Sequence, residues 1–207
     1  MSFFYRSVAA SLIPSILWHT NGPSVHLTFD DGPHPEATPK VLDILKTRDL
    51  KATFFLLGEN VERYPDVAQE IVNQGHFIGN HALAHVSLML KPFQWQSHQI
   101  EQTNKIVRRT VGQTPQLFRP PFGRFDFRTI KAAASHGLKL AMWDVDAKDY
   151  AISHIPTIVR RVCRQIKPGS IVLFHDNEST SPVLPEYLNP ILDDLEHRTI
   201  EITSIIL

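Results

Sequence analysis

Five short polar clusters in this 207-residue chain combine residue types that do hydrolytic or metal chemistry. They are Asp30-Asp31-Gly32-Pro33-His34, His81-Ala82-Leu83-Ala84-His85, Arg119-Pro120-Pro121-Phe122, Asp144 to Tyr150 (with Asp146 and Asp149), and Leu173-Phe174-His175-Asp176. Asp30 and Asp31 are adjacent, so strand pleating alone sends them to opposite faces. A Gly-Pro turn just after them can bring both toward one cleft. One carboxylate can then hold a cation while the other stays free as a base. The same four residues also read as a solvated turn. His81 and His85 are four apart, and on a helical turn both imidazoles share one face. Two histidines, one carboxylate and an open position make a catalytic arrangement for zinc or another divalent ion. The competing reading is two ordinary histidines on a surface helix. Arg119 sits on a stiff segment before two prolines. It can pair with Asp30, keeping that carboxylate ionised and oriented, or form a surface salt bridge. His175 ends an apolar run, where a general acid and a satisfied core histidine fit equally well.

The elements that must position these clusters alternate along the chain. Strands are expected at 25–29, 53–57, 76–79, 116–118, 138–145, 170–174 and 200–206. Helices are expected after Thr38-Pro39, with Thr38 as N-cap, and over 61–73, 93–110, 128–135, 155–166 and 188–196 around Pro190. The run Thr53-Phe54-Phe55-Leu56-Leu57 is apolar throughout, as in a strand covered on both faces. About seven βα-type units follow one another without a break in composition, and the polar clusters fall at the carboxyl ends of strands, where parallel α/β folds place their chemistry. That pattern predicts one α/β domain, either closed as a barrel or doubly wound. No glycine-rich phosphate loop follows the first strand, so nucleotide binding loses its main support.

Composition removes other classes. Lys and Arg total 21 and Asp and Glu total 21, giving a formal charge of zero. A nucleic-acid binder working by phosphate neutralisation is not expected, and Arg108-Arg109 and Arg160-Arg161 read as solvated helix faces or interface charges. Cys163 is the one cysteine, which excludes an intrachain disulfide and a cysteine-based zinc site. No apolar run approaches the roughly 18 residues of a membrane span. Residues 1–24 read as an apolar arm on the domain or against a membrane surface. They can alternatively be read as a signal segment, although Pro14 and two serines interrupt it. The arm reading favours the cytoplasm or a membrane surface over export. The domain proper is placed at 25–207. Oligomeric state is not legible.

Together the motifs resemble the polysaccharide deacetylase family, the NodB-homology domain of carbohydrate esterase family 4. The residues carrying the resemblance are Thr28-Phe29-Asp30-Asp31-Gly32-Pro33, His81-x-x-x-His85, Arg119-Pro120-Pro121-Phe122-Gly123, Asp146-x-x-Asp149-Tyr150 and Leu173-Phe174-His175. The resemblance implies a distorted, incomplete (β/α) barrel that deacetylates N-acetylated sugars with one divalent metal ion, zinc first, with cobalt, nickel and manganese also suited. It further implies Asp31, His81 and His85 as metal ligands, Asp30 as general base, Arg119 as its orienting partner, and His175 as general acid tuned by Asp149. A backbone N–H near Phe122 would serve the oxyanion, and Tyr150 and Leu173 would wall the acetyl pocket.

Three positions depart from the family pattern. Ala82 stands where Ser or Thr is usual, Phe122 where Tyr is usual, and Tyr150 where Trp is usual. None removes a ligand, the base or the acid, so they read as shifts in substrate or rate. Two alternatives follow: a deacylase for an O-acetylated glycan or a formylated lipid-linked amino sugar, and a non-catalytic saccharide-binding domain.

Overall fold

The structure, a computed structural model, describes residues 16–205. The N-terminal arm expectation therefore lies largely outside the described residues, but its last part does not. Ile16–Leu17 form an edge strand, β1, and Ile16 and Trp18 are buried. The other strands are β2 (His26–Asp30), β3 (Thr53–Leu56), β4 (Phe77–Asn80), β5 (Leu117–Phe118), β6 (Lys139–Ala141), β7 (Val145–Asp146) and β8 (Ile171–His175). All eight lie in one parallel sheet of order β1-β6-β5-β4-β3-β2-β8-β7, curled into a half-barrel. The helices are α1 (Ala37–Thr47), α2 (Gly58–Arg63), α3 (Pro65–Asn73), α4 (Phe93–Val111), α5 (Phe127–Ser135), α6 (Ile155–Gln165) and α7 (Leu184–His197). This is a single α/β domain, the incomplete barrel the resemblance implied.

Pleating divides the central strands between two apolar layers. Leu27, Phe29, Phe54, Leu56, Val172 and Phe174 point outward and join the cluster beneath the helices. There Phe29 stacks on Phe54 at 5.1 Å and on Phe174 at 5.6 Å, and Tyr187 of α7 extends the stack at 5.9 Å. Phe55, Leu117, Ala141 and Ile171 form a separate inner cluster. Burial on both faces explains why β3 reads as an unbroken apolar run.

Several expected boundaries move, each for a local reason. The helix expected over 61–73 is two helices, because Pro65 drives Tyr64 to φ −130°, ψ 59° and ends α2. The strand expected over 138–145 is also two. β6 pairs with β5 and β1, whereas β7 pairs with β8, and between them Met142 turns its carbonyl to the Arg119 side chain. Thr38 does not cap α1, whose N-cap is Glu36. Its hydroxyl instead accepts the His34 N–H and donates to Asp176. The last helix starts at Leu184 with Pro185 in its first turn, which leaves Pro190 inside it. The expected strand at 200–206 is reduced, within the described residues, to one bridge between Ile202 and Val25.

Candidate active site

The strand register brings the polar clusters to one rim. Asp30 lies opposite His175 and Phe55, and Asn80 lies opposite Leu56 and Phe118, so His81 and Arg119 leave the sheet side by side. A cleft of about 520 Å³ opens there. Its walls include Asp30, Asp31, His81, His85, Phe122, Tyr150, Leu173 and His175. Sequence reasoning had singled out all eight. Arg119 and Asp149 lie behind this lining, each bonded to a residue that faces the cleft.

Asp30 is the last residue of β2, and Asp31 immediately adopts φ +77°. This left-handed step, uncommon without glycine, cancels the pleat and lets neighbouring carboxylates share a cleft. Backbone conformations of this kind recur around the site, at Ala82 (φ +71°) and Phe122 (φ +60°). The Ala82 step corrects one expectation. His81 and His85 do not lie on a helical turn, because residues 81–90 are irregular. The bend is held by Asn80, whose Oδ1 accepts the Ala82 N–H at 2.8 Å. Past the bend, the carbonyls of Ala82 and Leu83 receive the first N–H groups of α2. The two imidazoles still meet, with ring centroids 5.7 Å apart.

The donor set fits a cation. Asp31, His81 and His85 each offer one ligand atom, all within 4.8 Å of one another. His81 Nδ1 lies 2.7 Å from the Arg119 carbonyl, which can only accept, so Nδ1 carries a proton, and Nε2 faces Asp31 Oδ1 at 3.4 Å. His85 Nε2 approaches the same oxygen at 3.3 Å. That oxygen is buried and has no hydrogen-bond partner. Buried acceptors rarely crowd together without a donor or a cation between them. Burial holds His85 below the ordinary histidine value, which favours the neutral ligand form. Burial pushes the Asp31 carboxyl up, but the neighbouring imidazoles outweigh it and hold it below the usual carboxylate range. The backbone acceptor on His81 is the kind of outer partner that fixes a ligating imidazole.

Asp30 is held differently. Its Oδ1 accepts from Arg119 Nη1 at 2.7 Å, and its Oδ2 lies 3.9 Å from His81 Nε2. Arg119 has no exposed surface, which disposes of the surface salt bridge. Its guanidinium donates to the Ala141 and Met142 carbonyls and to Thr28 Oγ1, and lies 4.0 Å over the Phe55 ring. Across the cleft, His175 Nδ1 donates to Asp149 Oδ1 at 2.8 Å. Asp149 Oδ2 accepts from the His175 backbone N–H and from Tyr187 Oη. Burial lowers the His175 pKa, but the Asp149 hydrogen bond and charge, then the charges of Asp30 and Asp31, outweigh it and raise the imidazole to about 9. The Asp149 contact thus favours the protonated imidazole, and His175 stands over the cleft and is not lodged in the core. Tyr150 stands edge-on to it at 5.1 Å.

Four contributors went unnoticed in the sequence. Asn177 donates to Asp31 Oδ2 at 2.8 Å, Tyr187 steadies Asp149, and Trp143 and Arg124 line the cleft. Asn177 lies two residues beyond His175, a spacing that could have suggested a role. Tyr187 lies one residue before the helix expected over 188–196 and carries no signal in the sequence. Replacing Asn177 by alanine is expected to weaken divalent-metal affinity by about 10–100-fold, as loss of an outer partner usually does. Competition with a chromogenic chelator measures that change.

Residues 19–141 match the family model described as polysaccharide deacetylase. The chain belongs to that family. Among its relatives, the peptidoglycan-N-acetylglucosamine deacetylase of Bacillus cereus is 41% identical over 155 residues. That match spans 75% of this chain and 56% of the relative, little more than half its length. A chitooligosaccharide deacetylase of Azorhizobium caulinodans is 33% identical over 157 residues, covering 75% of each chain. The crystal structure of a family 4 pseudoenzyme from Bacillus anthracis superposes with a TM-score of 0.85 at 31% identity, covering 95% of this chain and 69% of that one. The solved structures it resembles thus include one named a pseudoenzyme.

Proposed function

We propose that the protein is a metal-dependent hydrolase that removes acetyl groups from N-acetylated sugars of a glycan, chitin-like or of peptidoglycan type. The observation that carries the reading is the buried Asp31 oxygen faced by two imidazole nitrogens, with Asp30, bonded to Arg119, on one side and His175, bonded to Asp149, on the other. Asp31, His81 and His85 would hold one divalent ion, zinc by donor type, with cobalt, nickel or manganese also compatible. When bound, that ion polarises the amide carbonyl and acidifies the attacking water.

This chain's own residues supply the proton transfers. Asp30, anchored through Oδ1 by Arg119, keeps Oδ2 for the proton of the attacking water. The C–O bond to the water oxygen forms first, leaving a tetrahedral carbon that bears an oxyanion, and the C–N bond breaks in the step that follows. His175 gives its proton to the departing amine, and acetate and a free amino sugar result. The backbone N–H at Phe122, on its left-handed step, is assigned to the developing oxyanion. Tyr150 and Leu173 wall the space for the acetyl methyl.

The acid role carries a pH signature. The folded-state pKa of His175 is raised, so its contribution to folding is full below the ordinary histidine value of 6.5 and is lost as pH rises through about 9. Loss of that proton also removes the acid needed by the leaving amine, so kcat falls on the alkaline side. Asp149→Asn is expected to move the alkaline limb of kcat down by about one pH unit or more, because the leading support of the imidazolium disappears. A pH–rate profile of both proteins reads the shift.

Acetate release tests the reading as a whole. N-acetylated chito-oligosaccharides and peptidoglycan fragments should both be assayed, with chelator and after metal restoration. Release that a chelator abolishes and a divalent ion restores is the expected result. Preference for O-acetylated xylan or a formylated amino sugar would redirect the substrate class. The saccharide-binding alternative has Ala82 and Phe122 in its favour, and measured turnover dismisses it. Absence of metal-dependent acetate release from every such substrate would overturn the proposal.

A further inference from the structure

Resting on the hydrolase reading, we propose that Arg124 is a specificity residue that draws to this cleft a glycan carrying a carboxylate on a sugar near the scissile N-acetyl group. Three rings and planes run outward from the metal-ligand cluster to the lip. The Phe122 ring meets the His85 imidazole at a tilt of 56° with centroids 4.2 Å apart, and the Arg124 guanidinium lies over Phe122 at 5.8 Å. Arg124 lines the same cleft as Asp30 and Asp31 and is exposed. Among the described residues its side chain has no carboxylate or hydrogen-bond partner, and the Phe122 ring is its one recorded side-chain contact.

The other charges at the site have partners. Arg119 is matched by Asp30, His175 by Asp149, and Asp31 by its imidazoles and Asn177. Arg124 is the surplus cation. Its five N–H donors are presented in a planar fork whose complement is a carboxylate. Held over an aromatic face, the fork is partly ordered before the ligand arrives, which lowers the entropy lost on pairing. Phe122 is central to this arrangement. A tyrosine there would add a phenolic hydroxyl beside the guanidinium, whereas phenylalanine leaves all its donors for the ligand.

The test compares a peptidoglycan oligosaccharide, whose muramic acid carries a carboxylate, with a neutral N-acetylglucosamine oligomer of the same length. The measured quantity is the ratio of kcat/KM for the acidic over the neutral substrate. Wild type should favour the acidic one. Arg124→Gln should reduce the ratio by about tenfold, as expected for a charge-assisted pair in a half-open cleft. The loss should appear in KM and shrink in high salt. Arg124→Lys should restore part of the ratio, since it keeps the charge and loses the fork. Equilibrium binding of the two oligosaccharides to the metal-free protein is measured in parallel. An unchanged ratio and an unchanged binding preference in Arg124→Gln overturn this inference while leaving the hydrolase intact. No turnover of either substrate by the metal-loaded wild type, with the acidic oligosaccharide still bound more tightly, overturns the hydrolase and leaves the role of Arg124 standing.

Discussion

Asp30→Asn is expected to lower kcat/KM by about 10²–10⁴-fold, the usual contribution of a positioned general base, while metal content stays at the wild-type level. The separation of the two carboxylates is the reason. Asp31 faces both imidazoles at 3.3–3.4 Å, whereas Asp30 Oδ2 stands 3.9 Å from His81 and its Oδ1 is committed to Arg119. The amide is isosteric and still accepts from Arg119 through its oxygen, so geometry is kept and basicity is lost. Steady-state kinetics on the preferred substrate and metal analysis of the same preparation check both halves. Metal loss together with activity would mean that Asp30 is a ligand and that its assignment as base is wrong.

Arg119→Met is expected to destabilise the fold by about 3–5 kcal/mol, because it leaves a buried carboxylate without its counter-charge. Asp30 is 3% exposed and Arg119 is 0% exposed. The guanidinium also satisfies Thr28 and the carbonyls of Ala141 and Met142, where β6 gives way toward β7. The change therefore leaves several acceptors in the barrel interior without a donor. Chemical denaturation measures the loss. The double variant Asp30→Asn, Arg119→Met should recover part of it, since an uncharged pair removes the isolated buried charge. A single variant within about 1 kcal/mol of wild type would show the pair to be solvated, like an ordinary surface salt bridge.

How far the molecule could be read in advance depended on whether a feature was local. The parallel sheet was legible because β2, β3 and β8 are short, largely apolar runs, and β2, β4, β5 and β8 end on or run into polar residues. Those same polar endings marked the rim of the cleft, where Asp30, His81, Arg119 and His175 now stand. Partner changes were not legible. Nothing in Leu138–Val145 announces that the chain leaves β5 and joins β8 part-way, because the cause is the Arg119 side chain taking backbone carbonyls from inside the barrel. The irregular course of residues 81–90 was equally hidden. An i, i+4 histidine pair suggests a helix, and only the left-handed Ala82, held by Asn80, reveals a loop that brings the two imidazoles together by another route.

Contacts distant in sequence were the least accessible. Tyr187 and Asp149 are 38 residues apart, and Asn177 and Asp31 are 146 apart. Either polar group would serve equally well on a surface, and packing alone assigns it to the site. The departures at Ala82 and Phe122 also change meaning in three dimensions. Ala82 is fully buried in a bend already held by Asn80, and Phe122 packs at a tilt against the His85 imidazole. Each is accommodated by its neighbours, and Asp31, His81 and His85 still converge.

The convergence of Asp31, His81 and His85 on one cation is tested most directly by anomalous diffraction from crystals grown in zinc or cobalt salt, recorded on both sides of the metal absorption edge. A single anomalous peak within bonding distance of Asp31 Oδ1, His81 Nε2 and His85 Nε2, with Asp30 outside the coordination sphere, is the predicted result. A cleft without a peak in saturating metal, or an ion held by other side chains, would contradict it.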